Sequence, residues 1–202
     1  MTAGAASYDF VCEWLSALPS SASVLEVGCG AQKYRAHVRG TYTGLDLPDS
    51  PYLHGRRPDV AASAEAMPVP PETFDVVFGV ASFYWMEDVN RAFAECSRVL
   101  RPDGRLMVFD YQRAVCAREA AQPQTRARHV WDYRDIRGRL LANGFQHVDD
   151  RTDLASRRRL PPVLRQVRRR LRNDDSWLIV EGSLQRPSRR WGGARPPGLA
   201  SQ

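Results

Sequence analysis

The stretch Val24-Leu25-Glu26-Val27-Gly28-Cys29-Gly30 decides the fold. An aliphatic run breaks into two glycines, and a helical pattern follows from about Gln32 to Val38. This reads as strand, turn, helix, with the glycines letting the backbone pass close to a ligand without a Cβ collision. A second short strand, Tyr42-Thr43-Gly44-Leu45, ends at Asp46, and a weak third is expected near residues 60–63. Phe74 to Gly79 (FDVVFG) and Arg105 to Tyr111 (RLMVFDY) are continuous apolar runs, the pattern of strands buried on both faces.

Helices are predicted between and around these strands. At the start, Tyr8, Val11, Cys12, Leu15 and Leu18 recur at helical spacing and stop at Pro19. From about Asp88 to Leu100, Val89, Phe93, Cys96 and Val99 form a stripe, with an acidic start and Arg98 and Arg101 near the end, where they suit the helix dipole. Pro102-Asp103-Gly104 reads as the closing turn of that helix. Residues 48–58 and Met67-Pro68-Val69-Pro70-Pro71 read as loops, because proline donates no amide. A helix from about Tyr133 to Ala142 ends at Asn143-Gly144, and strand-like Phe145 to Val148 and Trp177 to Leu184 complete the pattern. Strands alternating with helices over the first 110 residues define an α/β fold with a parallel sheet, whose chemistry sits at the carboxyl ends of the strands.

The 202 residues are 43% hydrophobic and 26% charged, the balance of one globular domain. No apolar run is long enough to cross a bilayer and the first residues lack a leader pattern, so a cytoplasmic protein is expected. Cys12, Cys29, Cys96 and Cys116 are dispersed, so they are expected as buried thiols, with neither a disulfide framework nor a metal site. Net charge is +6, but residues 1–150 carry −3 and residues 151–202 carry +9, nearly all of it arginine. The positive charge is therefore a C-terminal property.

Asp46 stands 18 residues beyond Gly28, at the end of the next strand, where a carboxylate can accept both hydroxyls of a ribose. Lys33 occupies the third glycine position of a dinucleotide fingerprint, which disfavours NAD and FAD. Glu26 would repel a diphosphate but suits the ammonium of an amino acid. Acid, GxG and acid is the set that a sulfonium nucleoside with an amino-acid tail requires.

With these segments, VLEVGCGAQKY (24–34), YTGLDL (42–47), SAEAMPVPPETFDVVFG (63–79), WMEDVNRAFAECSRVLRPDGRLMVFD (85–110) and LLANGFQHV (140–148), the chain resembles the class I S-adenosylmethionine-dependent methyltransferases, in particular their small type 11 group. The resemblance implies a Rossmann-like, seven-stranded, mostly parallel sheet with helices on both faces and an antiparallel last strand. It implies S-adenosyl-L-methionine as cofactor, with Glu26, Gly28 and Gly30 at the methionine end, Asp46 at the ribose, Ser63, Ala64 and Glu65 along the adenine, Val80 near the sulfonium, and Cys29 and Leu47 also among the binding residues. Two positions depart from the group. Ser63 stands where an Asp is usual, and Gln32 where many members have another glycine.

Methyl transfer is an in-line displacement that proximity and alignment can accelerate, and a base is needed only when the acceptor must lose a proton. The Glu-His pair common after the fourth strand in this group is replaced by Tyr84-Trp85. Acceptor-side candidates are His37, His54, His129, Tyr84, Asp110 and Tyr111, with His129 in HVWDYR favoured by resemblance to the lid region of relatives. For each histidine the plainer reading, a surface or hydrogen-bonded residue, is the favoured one. Phe83, Tyr84 and Trp85 read either as a cation–π cluster beside the sulfonium or as helix-to-sheet packing.

The expected organisation is one methyltransferase domain over residues 1–185, with an Arg-rich helical insertion at about 155–175 and a disordered tail over 186–202. The insertion is readable as a solvated helix, a platform for anionic or carrier-bound acceptors, or an RNA or membrane surface. The leading expectation is O-methylation of a small acceptor such as a sugar, glycan precursor or secondary metabolite. A catalytically silent cofactor-binding subunit and an RNA methyltransferase are the alternatives, nucleic acid being disfavoured because no RNA-binding module accompanies the basic charge.

Overall fold

The computed structural model describes residues 4–112, 117, 121, 128–152 and 177–184. Its elements are α1 (Gly4–Ser16), β1 (Ser23–Val27), β2 (Thr41–Asp46), β3 (Val60–Ala61), β4 (Phe74–Val80), α2 (Val89–Val99), β5 (Leu100–Tyr111), α3 (Tyr133–Ala142), β6 (His147–Asp150) and β7 (Trp177–Ser183). The strands form one seven-stranded sheet in the order β3-β2-β1-β4-β5-β7-β6. β3 through β5 pair in parallel, and β7 runs antiparallel to both β5 and β6. Strand order reverses between β1 and β4. A crevice therefore opens at their carboxyl ends, the usual ligand site of an open α/β sheet.

Alternating strand residues feed two cores, one on each face. Val24, Val76, Phe78, Met107 and Phe109 meet Val11 and Leu15 from α1 and Leu18 just beyond it. Leu25, Val27, Val77, Leu106 and Val108 meet Phe93, Cys96 and Val99 of α2 and Ile136 and Leu140 of α3. The helices begin as their sequences dictate. Asp88 caps α2 by accepting the amides of Asn90 and Arg91, and Asp132 forms a reciprocal capping box with Asp135 on α3.

At the amino edge of the sheet, Asp75 accepts the amide and hydroxyl of Ser23 at 2.8 and 2.9 Å and pairs with Arg101 at 2.7 Å. Burial alone would raise this carboxyl; the Ser23 amide and the guanidinium outweigh burial and hold it below its ordinary value.

Three expectations are corrected. The helix expected over 32–38 is only a 3-10 turn at Arg35–His37, because Gln32 takes a left-handed φ of 56° and blocks a regular first turn. Gln32 is held there by its amide on the Arg57 carbonyl at 2.9 Å and by the Arg35 guanidinium at 3.0 Å. Pro102-Asp103-Gly104 does not separate helix from strand. Leu100 already pairs with Phe74, Arg105 pairs with Val76, and the residues between bulge out of the ladder. The sixth strand starts two residues later than Phe145, whose ring turns into the core. Of the cysteines, Cys29 and Cys96 are buried and Cys12 is half-buried. Cys116, the Arg-rich insertion and the tail lie outside the described residues.

Candidate active site

The loop after β1 closes through hydrogen bonds from Gly28 and Cys29 amides to the Leu45 carbonyl, at 2.8 and 3.0 Å. Gly28 has φ 71°, and a Cβ there would stand 2.6 Å from Ser82 Cβ. Gly30 has φ 48° and faces the backbone of Tyr52. Asp46 ends β2 and accepts the Gly30 amide at 2.7 Å and the Leu47 amide at 2.8 Å. Leu47 is 49% exposed, an apolar side chain presented to solvent beside that carboxylate.

Glu26 lies under this loop at 1% exposure, and the Tyr42 hydroxyl donates to its carboxyl. Burial pushes Glu26 up to about 8, against the pull of Tyr42 and Lys33. Its side chain is thus turned into the protein rather than into the cleft. The neighbouring Cys29 thiol is pushed up to about 12 by burial and by the carboxylates around it, which makes it unreactive.

Past β3, the Ser63 hydroxyl accepts the Glu65 amide at 3.1 Å, Ala64 is buried, and Glu65 accepts the Glu87 amide at 2.8 Å. The turn after β3 is thereby joined to the turn after β4. Val80 ends β4, half-buried, and Ala81 follows with φ 52°, a left-handed conformation costly for a residue with a Cβ. Ser82 comes next, its buried hydroxyl without a hydrogen-bond partner.

Asp110 is 0% exposed, with its oxygens on the amides of Ser82 and Tyr84 at 3.0 Å each. Burial pushes this carboxyl up to about 7 against those bonds. It faces the backbone, not the cleft. The Tyr84 ring is buried against Trp85 and Tyr111, and Tyr111 packs on Trp177 at 4.7 Å.

The Tyr84 carbonyl accepts the amides of Arg128 and His129. His129 Nε2 lies 2.9 Å from the Met86 carbonyl, and its ring stacks on Trp131 at 5.3 Å and 8°. A carbonyl only accepts, so Nε2 carries the hydrogen and Nδ1 keeps its lone pair. Burial lowers the imidazole below its ordinary value, outweighing the Met86 bond, so the ring is neutral at pH 7.

The aromatic cluster divides. Phe83 belongs to the core, 5.1 Å from Phe93, whereas Trp85 meets the ring of Tyr52 edge-on at 5.9 Å across the cleft. His37 lines a separate cavity of about 600 Å³ against α1, and exposed His54 sits in the loop after β2. Neither joins His129. Ser82 and Tyr52 were not legible as site residues. The only signal was their place just beyond β4 and β2, which became meaningful once Gly28 and Gly30 were found against them.

Glycine turn, acid-tipped second strand and topological switch together define an α/β domain of the kind that binds a nucleoside cofactor across its carboxyl edge. A family described as "Methyltransferase domain" matches residues 25–108. The malonyl-[acyl-carrier protein] O-methyltransferase of Methylococcus capsulatus is 30% identical over 91% of this chain and 75% of its own length. Two further relatives of that name are covered over 34% and 65% of their lengths. A fatty-acid O-methyltransferase of Mycolicibacterium smegmatis is 36% identical over 43% of this chain and 36% of its own length. A solved S-adenosylmethionine-dependent methyltransferase of Thermotoga maritima superposes with TM-score 0.60 at 14% identity, covering 90% of this chain and 95% of that one. The chain belongs to the class I S-adenosylmethionine-dependent methyltransferases, and S-adenosylmethionine is its cofactor.

The site's residues fit that cofactor. The glycine loop, the Asp46 carboxylate and the exposed Leu47 offer a turn without side chains at Gly28 and Gly30, an acceptor for hydroxyls and an apolar platform at the carboxyl ends of β1 and β2. Among the described residues no helix is long and apolar enough to cross a membrane.

Proposed function

We propose that this chain methylates a carboxylate oxygen of a small acyl acceptor, free or presented on a carrier. The observation that carries this reading is the similarity to malonyl-[acyl-carrier protein] O-methyltransferase over 91% of the chain. Physical chemistry supports it. A carboxylate is already ionised at neutral pH, so attack on a methyl sulfonium needs alignment and no base. That suits a site with Tyr84-Trp85 where the family resemblance implies Glu-His, and the net charge of +9 over residues 151–202 suits an anionic acceptor.

The residues assigned to the cofactor are Gly28, Cys29 and Gly30 at its methionine end, Asp46 at the ribose, Leu47 with Ser63, Ala64 and Glu65 at the adenine, and Val80 near the sulfonium. Glu26 acts from beneath the loop. When bound, the cofactor supplies the electrophilic methyl group. On the acceptor side Tyr84 and Tyr111 shape the apolar wall, and His129 is the candidate base for an acceptor that must lose a proton.

The neutral His129, with Nδ1 free to accept, favours one second reading, in which the acceptor is an alcohol of a sugar or secondary metabolite. Incubation with labelled S-adenosylmethionine and malonyl or long-chain acyl thioesters and acids, followed by mass spectrometry, tests the choice. A methyl ester whose formation survives His129→Gln supports the carboxylate reading. A methyl ether abolished by His129→Gln would replace it with the alcohol reading.

A further inference from the structure

We propose that Asp110 is a positioning residue, whose carboxylate clamps the left-handed turn after β4 and thereby fixes both the cofactor side of the cleft and the orientation of His129. This rests on the cofactor placement proposed above.

The argument starts from a conflict in the backbone. β4 leaves the sheet through Ala81, which takes φ 52° although alanine is disfavoured there. A residue holds such a conformation only where its surroundings over-determine it. Here the Ala81 amide donates to the Phe109 carbonyl at 2.7 Å, and the amides of Ser82 and Tyr84 donate to Asp110 at 3.0 Å. The Ser82 and Tyr84 amides converging on one buried acid form a small nest, with its acceptor supplied by the chain itself.

Two consequences radiate from the nest. On one side, Ser82 is the residue against which Gly28 packs, so the nest sets the width of the cleft at the glycine loop. On the other, the Tyr84 carbonyl takes the amides of Arg128 and His129 while the Met86 carbonyl takes His129 Nε2. One carboxylate thus organises residues 81–86, and that turn holds the imidazole in the tautomer with Nδ1 free. Asp110 does this without facing the cleft, which separates its role from that of an acceptor base.

The test compares the wild type, Asp110→Asn, Ala81→Gly and the double variant by calorimetric titration with S-adenosylmethionine and by ¹⁵N NMR of the His129 ring. Asparagine keeps one acceptor oxygen but turns an NH₂ toward amides. Asp110→Asn is expected to weaken cofactor binding about ten-fold and to mix the two imidazole tautomers. Adding Ala81→Gly, which removes the need for the clamp, is expected to restore most of both. Unchanged affinity and tautomer in folded Asp110→Asn would overturn the proposal, as would a loss that Ala81→Gly leaves whole.

Hydrogen exchange in the wild type gives a reading that needs no variant. The Ser82 and Tyr84 amides should exchange as slowly as those of the sheet, and fast exchange there counts against the clamp. Should the wild type bind no S-adenosylmethionine, the cofactor placement fails, while the His129 spectrum and exchange rates still judge the clamp. Should the variants behave as expected but no acyl acceptor be methylated, only the acceptor reading fails.

Discussion

The Asp46 carboxylate accepts the backbone amide of Gly30 at 2.7 Å, so the acid at the tip of β2 also holds the glycine loop that follows β1. One group shapes the loop and is the proposed ribose acceptor. Asp46→Ala should lower S-adenosylmethionine affinity about ten- to a hundred-fold, through loss of a charge-assisted bond at the loop as well as at the ligand. Calorimetric titration measures it, with NAD as the control that binds neither form.

Gly28→Val should cost more than cofactor binding. Its Cβ would stand 2.6 Å from Ser82 Cβ, and φ 71° is strained for a β-branched residue. The expected loss is about 2–4 kcal/mol of stability together with the affinity, read by denaturant unfolding and titration. Gly30→Ala, facing the Tyr52 carbonyl at 3.1 Å, should lose less.

Glu26 makes stability depend on pH in a definite direction. Its carboxyl titrates near 4.5 when exposed and near 8 in the fold, so its contribution is complete below the first value and is lost as pH rises through the second. Thermal melts of the wild type should show a melting temperature declining from about pH 5 to about pH 9, and Glu26→Gln should remove that part of the decline. An equal decline in both proteins would contradict the burial argument.

Most of this fold was legible because β1, β4 and the 106–110 part of β5 are buried on both faces and so are largely apolar. The helix expected over about 133–142 matches α3, because Asn143-Gly144 marks its end chemically, while the Asp132 cap came to light only in the structure. The expected helix at 32–38 failed for a reason invisible in hydrophobic spacing: Gln32 and Arg35 bond to the 57–59 segment, a tertiary contact that overrides local periodicity. The site divides in the same way. Gly28, Gly30 and Asp46 could be placed at strand ends from the sequence, and the structure joins them in one loop network. Asp110 was legible as a site residue but not in its direction, because which way an acid points at a strand end depends on the amides around it.

Arg98 anchors the proline-rich loop by donating to the Met67 and Val69 carbonyls at 3.0 and 2.7 Å, while Glu95 accepts the Met67 amide at 2.7 Å. Arg98→Ala should therefore reduce stability by about 1–2 kcal/mol and speed proteolysis within 67–71, leaving cofactor affinity nearly unchanged. Limited proteolysis with titration on the same samples distinguishes this from a disturbance of the cleft.

The Ser23, Asp75 and Arg101 cluster lies on the edge of the sheet away from the glycine turn. It works as a rivet, tying β1, β4 and the β5 bulge together where no ligand is handled. The opposite edge carries the loop after β2, whose exposed side chains lie outside that frame. A new acceptor can thus be sought by rewriting the exposed positions of residues 47–56, and libraries confined to them should keep the wild-type resistance to unfolding.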